Sequence, residues 1–264
     1  MGSREPWVVS LALVNTNIEH FGEIAYGTGV LTKWNGQNFL LTARHNVLTM
    51  VTREVPDGGF KTVTHNHSHV FIVDRGITED MITANYLLNH GTEITDWIGV
   101  KRSIFSLDMP AHDSPGTDFM LGLLSEDFQM PDNYPRLSPQ SFDIPKKLSK
   151  NLKITMYGGD LRPVEVNIDP LSIRSDSDIF VREGDLLVPG YSGGPLVAEF
   201  DLKKNGIITR KKFIIGITSQ SSSGEDRWVN LSRWRLVDEL MEKKTLITVR
   251  NCKKLPRYQL PSFN

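Results

Sequence analysis

The residues best suited to chemistry lie in a glycine-rich string at positions 188–196, Val-Pro-Gly-Tyr-Ser-Gly-Gly-Pro-Leu. Ser192 has Gly190 two residues before it and two glycines directly after it, a pattern that packing alone explains poorly. Glycine permits backbone conformations and close approaches that other residues forbid. Such a turn can aim the amides of Gly190 and Ser192 at one point beside the Ser192 hydroxyl, where a developing oxyanion would be stabilised. A tight turn between two strands, without catalysis, is the alternative interpretation.

A serine hydroxyl is a weak nucleophile that needs a base, and the base needs a carboxylate to orient it. His45 follows an apolar stretch and the small pair Thr42-Ala43, and Asp118 comes directly before the apolar stretch 119–124. Each is a weak signal by itself, because a single histidine is more often structural and an aspartate commonly begins a strand. Together, in the order His, Asp, Ser, they favour a catalytic triad.

The elements that must position these residues are mostly strands. Short segments rich in β-branched and aromatic residues alternate with Gly, Asn, Asp and Pro, which favours an all-β sandwich or barrel. One helix is predicted from about 232 to 244, because its apolar residues recur at helical spacing. The ranges 52–68 and 75–97 are predicted to be long loops, and Asn205-Gly206 to be a hairpin turn. The predicted strands are 7–14, 23–33, 37–43, 69–74, 98–106, 117–124, 152–158, 163–173, 178–182, 195–201, 206–220 and 226–231.

A proline-rich segment divides the predicted strands into two sets. Prolines at 131, 135, 139 and 145 break regular structure and predict a stiff connector. The predicted division is a first β unit at 1–124 with His45 and Asp118, a connector at 125–150, a second β unit with Ser192 and the helix at 151–250, and an extended tail at 251–264.

Three strings, TARHNV, TDFMLGLL and GYSGGPLV, resemble the histidine, aspartate and serine motifs of the chymotrypsin/trypsin-like serine peptidases. The resemblance spans about residues 7–245. It implies two six-stranded antiparallel β-barrels with a C-terminal helix, and an active site in the cleft between the barrels. It also implies that His45 is the general base, Asp118 its orienting group and Ser192 the nucleophile, with the amides of Gly190 and Ser192 as the oxyanion hole.

The chain departs from the secreted digestive members of that family. Arg44 and Asn46 flank the histidine where those members have a small residue and a half-cystine, and Cys252, expected to be an ordinary thiol, is the one cysteine. Tyr191 stands where zymogen-activated members carry an aspartate that binds a new N-terminal amine. These differences favour the intracellular, bacterial or viral branches, which need no activating cleavage. The sequence leaves open what orders the turn in place of that ion pair.

The same resemblance places the primary specificity pocket. The residues it implies are Leu186, Ser219, Gln220, Ser221 and Asp226. Leu186 alone favours an apolar or small substrate side chain, whereas an inward Asp226 favours Lys or Arg. A slip of one residue along the strand would bring in Arg227 and favour an acidic side chain. We expect a basic residue, because Asp185 supplies a second carboxylate beside Leu186.

Composition argues against several other classes of protein. Of the 264 residues, 39% are hydrophobic and 23% charged, as in ordinary globular domains and unlike disordered chains. Lys and Arg number 30 against 31 Asp and Glu, so no overall field would hold nucleic acid or an anionic membrane. No apolar run is long enough for a membrane span, and a single cysteine favours a reducing compartment. We therefore expect a cytoplasmic protein without nucleic-acid or membrane partners.

Two further patterns have alternative interpretations. His65, His67 and His69 alternate and would share one face of a strand, as zinc ligands do. No fourth ligand accompanies them, so a solvated loop is favoured and no metal is expected. The short basic pieces beside Asn205-Gly206 are compatible with a small anion-binding patch, although solvated hairpin ends are favoured.

The expected function is that of a serine endopeptidase which hydrolyses peptide bonds through an acyl-enzyme and needs no cofactor. Its polypeptide substrate would bind in an extended conformation along the strand edge near Thr218–Ser221. A regulatory or processing role with limited specificity is expected. The alternative is a catalytically silent or partner-activated peptide-binding module on the same fold. An activating or inhibiting protein is the further partner considered.

Overall fold

The described part of the protein is built mostly from β-strands. The computed structural model describes residues 5–14, 24–34, 36–54, 60–67, 69–73, 82–99, 118–137, 152–158, 163–168, 179–181, 190–222, 225–230 and 245–248. The first strands are β1 (Val8–Val14), β2 (Ile24–Trp34), β3 (Gln37–Thr42), β4 (Leu48–Glu54), β5 (Phe60–His67), β6 (His69–Ile72), β7 (Thr92–Ile94), β8 (Asp96–Gly99) and β9 (Met120–Leu123). They are followed by β10 (Arg136–Leu137), β11 (Lys153–Met156), β12 (Val164–Glu165), β13 (Ile179–Val181), β14 (Pro195–Lys204), β15 (Ile207–Ser222), β16 (Glu225–Asn230) and β17 (Thr245–Thr248). The described helices are α1 (Arg44–Val47) and α2 (Ala84–His90).

The first sheet has eight strands in the order β17-β8-β9-β3-β2-β1-β6-β7. β1 is apolar along nearly its whole length because both of its faces are covered. Leu11 and Leu13 belong to the main core, whereas Ala12 and Val14 belong to a smaller core together with Leu87 of α2. The alternation of side chains along a strand produces this division.

The range 75–97, predicted to be a loop, contains regular structure instead. α2 begins after Thr83, whose hydroxyl accepts a hydrogen bond from the N–H of Tyr86 at 3.1 Å. β7 and the start of β8 follow it. Ile82 and Leu87 are buried in the smaller core, and Ala84 and Tyr86 pack against it, so a few apolar contacts and an N-cap support α2 where a low overall hydrophobicity suggested a loop.

The prediction of a loop over 52–68 is also wrong. β4 and β5 form a two-stranded antiparallel sheet with Leu48 opposite His67 and Glu54 opposite Phe60. Its strands are rich in Thr and Val, which favour extended backbone, but they lack the apolar alternation of a half-buried strand. His65 and His67 therefore lie in a strand rather than in a loop.

The second sheet has seven strands, ordered β12-β11-β14-β15-β16-β13, with β10 pairing to β15. The predicted Asn205-Gly206 turn is confirmed, since Lys204 of β14 pairs with Ile207 of β15. Asn205 and Gly206 have φ angles of 53° and 82°, the positive values that a two-residue hairpin turn requires. A second core, centred on Met156 and Trp228, lies on this sheet.

The two sheets share the main core, because Val197, Ile214 and Ile217 of the second sheet pack with residues of the first. The proline-rich segment contributes to the same contact. The Thr32 hydroxyl donates to the carbonyl of Pro135 at 2.9 Å, and β10 then pairs in parallel with β15.

Among the described residues the two larger sheets have eight and seven strands, where the resemblance implies six in each barrel. β17 joins the first sheet by pairing with β8, although the sequence grouped its residues with the second unit. The predicted helix at 232–244 and the tail at 251–264 lie outside the described residues. Within the described residues, no helix has both the length and the apolar character needed to cross a membrane.

Candidate active site

His45 and Asp118 are brought together by the pairing of β3 with β9. β3 ends at Thr42, and α1, which contains His45, begins two residues later. Because β9 runs antiparallel to β3, with Thr42 opposite Met120, the residues before β9 lie beside those that follow β3. Asp118 stands two residues before β9, so both residues reach the same end of the first sheet.

Two hydrogen bonds join His45 to the Asp118 carboxylate. Nδ1 of the imidazole lies 2.8 Å from Oδ2, and the main-chain N–H of His45 donates to Oδ1 at 3.1 Å. Asp118 is buried, whereas His45 is half-buried. A carboxylate only accepts hydrogen bonds, so the neutral imidazole carries its proton on Nδ1 and leaves Nε2 as a base.

The pKa values of this pair move apart. Burial of Asp118 favours its neutral form, but attraction to His45 and hydrogen bonds from His45 and Ser219 outweigh burial and lower its pKa. Burial also disfavours the charged imidazole, but the Asp118 charge and hydrogen bond outweigh it and raise the pKa of His45. The positive charge of Arg44, which is buried beside His45, lowers the pKa of His45 in part. Asp118 therefore stays ionised while His45 accepts a proton readily.

Ser219 is a third contributor to this cluster. The pairing of β15 with β16 shifts between Thr218 and Gln220, so Ser219 is the extra residue of a β-bulge. A bulge redirects a side chain, and here the buried Ser219 hydroxyl donates to Oδ2 of Asp118 at 2.5 Å. The sequence implied Ser219 as a pocket residue and did not reveal this hydrogen bond, because a bulge has no local sequence signal here.

The serine-bearing turn, residues 190–194, requires its glycines. Gly190 and Gly193 have φ angles of 92° and 85°, which non-glycine residues rarely adopt. A Cβ on Gly193 would lie 2.2 Å from the carbonyl oxygen of Thr28. The amide of Gly193 donates to the carbonyl of Thr218 at 2.9 Å, and that of Gly194 to the carbonyl of Tyr191 at 2.8 Å. The first bond attaches the turn to β15 and the second closes the turn, so these two amides are not the donors for an oxyanion.

Tyr191 anchors this turn in the second core. Its side chain is buried, and a Cβ on Gly158 would lie 2.3 Å from its Cδ1 atom. The ring therefore lies directly on the backbone of Gly158. An apolar contact thus occupies the place where the resemblance would have an ion-paired aspartate.

The first sheet contacts the turn next to Ser192. The main-chain N–H of Thr28 donates to the carbonyl of Ser192 at 2.9 Å, and Nδ2 of Asn46 donates to the same oxygen at 2.8 Å. Asn46 directly follows His45 in α1. The half-buried Ser192 is therefore attached to the helix that carries the candidate base. Thr28 and Asn46 were not singled out as functional by sequence.

Of the other predicted pocket residues, Gln220, Ser221 and Asp226 have a described backbone. Gln220 and Ser221 are in β15 and pair with Arg227 and Asp226 of β16. Leu186 lies outside the described residues. The pairing brings the predicted pocket strands together next to the bulge at Ser219.

Of the three alternating histidines, His69 is the one whose side chain the structure describes. The imidazole of His69 in β6 is hydrogen bonded through Nδ1 to Oε1 of Glu93. Across the described part of the chain, no three His, Cys, Asp or Glu side chains are placed to hold one metal ion.

Comparisons with known proteins give structural likeness at low sequence identity. No protein-family model matches the chain, and no curated protein matches it. It is similar to the human heparin binding protein, with 15% identity over 92% of this chain and 95% of the other and a TM-score of 0.48. It is similar to the protease Anisep from Arthrobacter nicotinovorans, with 9% identity, 89% and 94% coverage and a TM-score of 0.47. It is also similar to the thermostable serine protease AL20 from an extremophilic microorganism, with 10% identity over 86% of this chain and 91% of the other and a TM-score of 0.45.

Proposed function

We propose that the protein is a serine endopeptidase with His45, Asp118 and Ser192 as its catalytic triad. One observation carries this proposal: α1, which contains His45, makes hydrogen bonds to both Asp118 and Ser192. His45 lies with Nδ1 2.8 Å from Asp118, and the adjacent Asn46 donates to the carbonyl of Ser192. A base with an orienting carboxylate, attached to a serine in a glycine-rich turn, is the arrangement that nucleophilic catalysis needs.

The proposed reaction has two stages. Ser192 Oγ attacks the carbonyl carbon of the peptide bond while Nε2 of His45 takes the hydroxyl proton. His45 then gives that proton to the amine nitrogen, the C–N bond breaks, and the acyl group stays on Ser192 as an ester. In the second stage, water attacks the ester, with His45 again as base, and the acid is released with Ser192 restored. Asp118 remains ionised and stabilises the imidazolium, in agreement with its lowered pKa.

The proposed oxyanion hole consists of the amides of Gly190 and Ser192. The amides of Gly193 and Gly194 already donate to the carbonyls of Thr218 and Tyr191, and the positive φ of Gly190 is a conformation that glycine adopts without strain. Two amides directed at the developing negative charge supply much of the rate enhancement in such sites. No cofactor or metal takes part in the proposed chemistry.

We propose that an extended polypeptide binds along β15. β14 pairs with β15 as far as Pro195 opposite Ile217, so residues 219–222 have β16 on one side and no described strand on the other. A strand edge of this kind accepts an extended peptide by main-chain hydrogen bonding. The pocket proposed from Leu186, Gln220, Ser221 and Asp226 would select Lys or Arg through the Asp226 carboxylate. Ser219 would line the pocket with its main chain, since its hydroxyl binds Asp118.

The biological setting proposed is a regulatory or processing protease of limited specificity in the cytoplasm. Because Tyr191 packs in the core where an aspartate would need a new N-terminal amine, activity should not depend on trimming of the chain. Intact-mass measurement during an assay tests this, and turnover that begins only after N-terminal loss would contradict it.

A fluorophosphonate probe tests the proposed enzyme directly. Covalent capture on Ser192, located by peptide mapping, is the expected result, and Ser192→Ala should abolish both capture and peptide hydrolysis. His45→Ala should lose turnover by a factor on the order of 10⁶, as other serine peptidases do. Circular dichroism of each variant controls for folding. Turnover of Ser192→Ala within about tenfold of wild type would exclude the mechanism.

The same experiment separates the alternative, a silent or partner-activated peptide-binding module. A silent module would bind peptide but resist the probe under all conditions. A partner-activated enzyme would resist the probe when pure and react with it in cell extract.

A further inference from the structure

Asn46 occupies a position between the candidate base and the serine-bearing turn. Its side-chain amide has two N–H groups, and Nδ2 donates to the carbonyl of Ser192 at 2.8 Å and to the hydroxyl of Thr42 at 2.9 Å. The residue is 2% exposed, so both donors are used in a buried place. A buried amide that loses such a partner pays a desolvation penalty, which makes this contact costly to break.

Two threonines of the first sheet complete this contact. The Thr28 hydroxyl donates to the carbonyl of Gly190 at 2.6 Å, and the Thr28 main-chain N–H donates to that of Ser192 at 2.9 Å. The Thr42 hydroxyl donates to the carbonyl of Thr28 at 2.7 Å. We refer to Thr28, Thr42 and Asn46 as the polar clamp, because they hold two carbonyls of the turn from the first sheet.

The polar clamp has little room to move. A Cβ on Gly27 would lie 2.7 Å from Nδ2 of Asn46, and a Cβ on Gly193 would lie 2.2 Å from the Thr42 hydroxyl. Glycine at position 27 therefore leaves room for the Asn46 side chain, and glycine at position 193 permits the close approach of the turn to the first sheet. A side chain enclosed in this way fixes the position of the group that it binds.

We propose that Asn46 is a positioning residue that fixes the main chain of Ser192 relative to His45, so that the polar clamp orders the serine-bearing turn without an ion pair. This inference rests on the proposed function, because it assigns Asn46 a purpose in the reaction of Ser192. Tyr191 holds the other side of the turn by apolar packing. The clamp groups are amides and hydroxyls, which do not titrate between about pH 5 and 9, so the shape of the turn should not depend on pH.

Asn46→Asp is the sharpest test, because it keeps the size of the side chain but replaces the donor with an oxygen that repels the Ser192 carbonyl. We expect kcat to fall about 10- to 100-fold with KM nearly unchanged, since a misplacement on the scale of 1 Å has such an effect. The rate of fluorophosphonate capture should fall in parallel. Hydrogen exchange of the Thr28 amide, which binds the same carbonyl, should become faster.

Asn38→Asp is the matched control. Asn38 is also a buried asparagine of the first sheet, and its Nδ2 lies 3.4 Å from the carbonyls of Ser125 and Phe128, away from the turn. It should lower the thermal stability of the full chain yet leave kcat and the Thr28 amide close to wild type. This control separates loss of stability from loss of positioning.

The outcomes are distinct. Asn46→Asp with wild-type kcat and wild-type exchange at Thr28 would overturn the inference, as would an equal fall of kcat in Asn38→Asp. A wild-type chain that neither reacts with the probe nor hydrolyses peptides contradicts the proposed function instead. In that case exchange at Thr28 alone decides: faster exchange in Asn46→Asp supports the clamp, and unchanged exchange overturns it.

Discussion

The two sides of the candidate active site are held by different kinds of contact. On the histidine side, the ionised carboxylate of Asp118 accepts hydrogen bonds from His45 and Ser219. On the serine side, neutral donors of the first sheet bind main-chain carbonyls of the turn, including that of Ser192. Hydrogen bonds to a charged group are about twice as strong as neutral ones, and they depend on protonation.

This difference separates two tasks. The charged contacts set which groups carry protons, because they lower the pKa of Asp118 and raise that of His45. The neutral contacts set where Ser192 lies and do not titrate. Substitutions on the histidine side should therefore alter the pH dependence of the reaction, whereas those on the serine side should lower kcat at every pH.

Beyond the loss of His45 or Ser192 itself, the largest effect is expected from Asp118→Asn, which removes the charge but keeps the shape. The Asn amide can donate a hydrogen bond to Nδ1 of His45, which favours the tautomer with the proton on Nε2 and removes the base. We therefore expect kcat to fall by a factor on the order of 10⁴. Steady-state kinetics with a peptide substrate measures this, and circular dichroism shows whether the fold is retained. A fall of less than about tenfold would mean that Asp118 does not orient the base.

Gly193→Ala should have the next largest effect, on the serine side. The new Cβ would lie 2.2 Å from the carbonyl of Thr28, so the turn must move away from the first sheet. We expect kcat to fall about 100-fold or more, without a shift of the pH profile. Steady-state kinetics across the pH range provides the measurement, together with unfolding curves for this variant and for the control variant Gly206→Ala.

Gly206→Ala is its control, because Gly206 has a similar φ of 82° and nothing within 4 Å of a new Cβ. It should cost about 1–2 kcal/mol of stability for the left-handed backbone alone, with kcat unchanged. Equal kinetic losses in the two variants would show that backbone strain rather than the clash is responsible.

The candidate site can be proposed from sequence where local chemistry is distinctive. His45 follows an apolar strand, and Ser192 lies among glycines whose positive φ angles and close contacts the structure explains. Ser219 was placed in the substrate pocket, but its hydroxyl binds Asp118. That contact depends on a bulge between two distant strands, and Asn46 is likewise explained only by the tertiary contact with Ser192.

The fold was predicted well where strands are apolar and poorly where they are not. β1 to β3 and the β14–β15 hairpin follow clear patterns of buried residues and a turn. The β4–β5 sheet was missed because Thr-rich strands without apolar alternation resemble a loop in sequence. The pairing of β17 with β8 joins residues far apart in the chain, and no local pattern reports such a pairing.

A smaller effect is expected from Ser219→Ala, which removes one of the hydrogen bonds to Asp118. A hydrogen bond to a charged group contributes about 1.5–3 kcal/mol, so kcat should fall roughly tenfold. The pKa of Asp118 should also rise, because that hydrogen bond lowers it. A lowered carboxyl pKa stabilises the fold above its unfolded value of 3.8, and this stability is lost as the pH falls through the folded value.

Acid unfolding measures that consequence of Ser219→Ala. The variant should be less stable than wild type above the unfolded pKa of 3.8, and its further loss of stability in acid should be smaller and complete at a higher pH, because its folded pKa lies nearer the unfolded value. Ser219→Thr, which keeps a hydroxyl, is the conservative comparison. An acid-unfolding curve identical to that of wild type would show that the Ser219 hydroxyl does not stabilise the carboxylate.

The smallest effect is expected from Arg44→Met, which keeps an apolar side chain in the buried position beside His45 but removes its charge. Arg44 lowers the pKa of His45, so its loss should raise that pKa further. Only the neutral imidazole acts as a base, and the acidic limb of kcat/KM should therefore move to higher pH, by less than about one unit. Arg44→Lys, which keeps the charge, should leave the limb in place. A limb that stays fixed in Arg44→Met, or moves equally in both variants, would show that the charge of Arg44 does not act on His45.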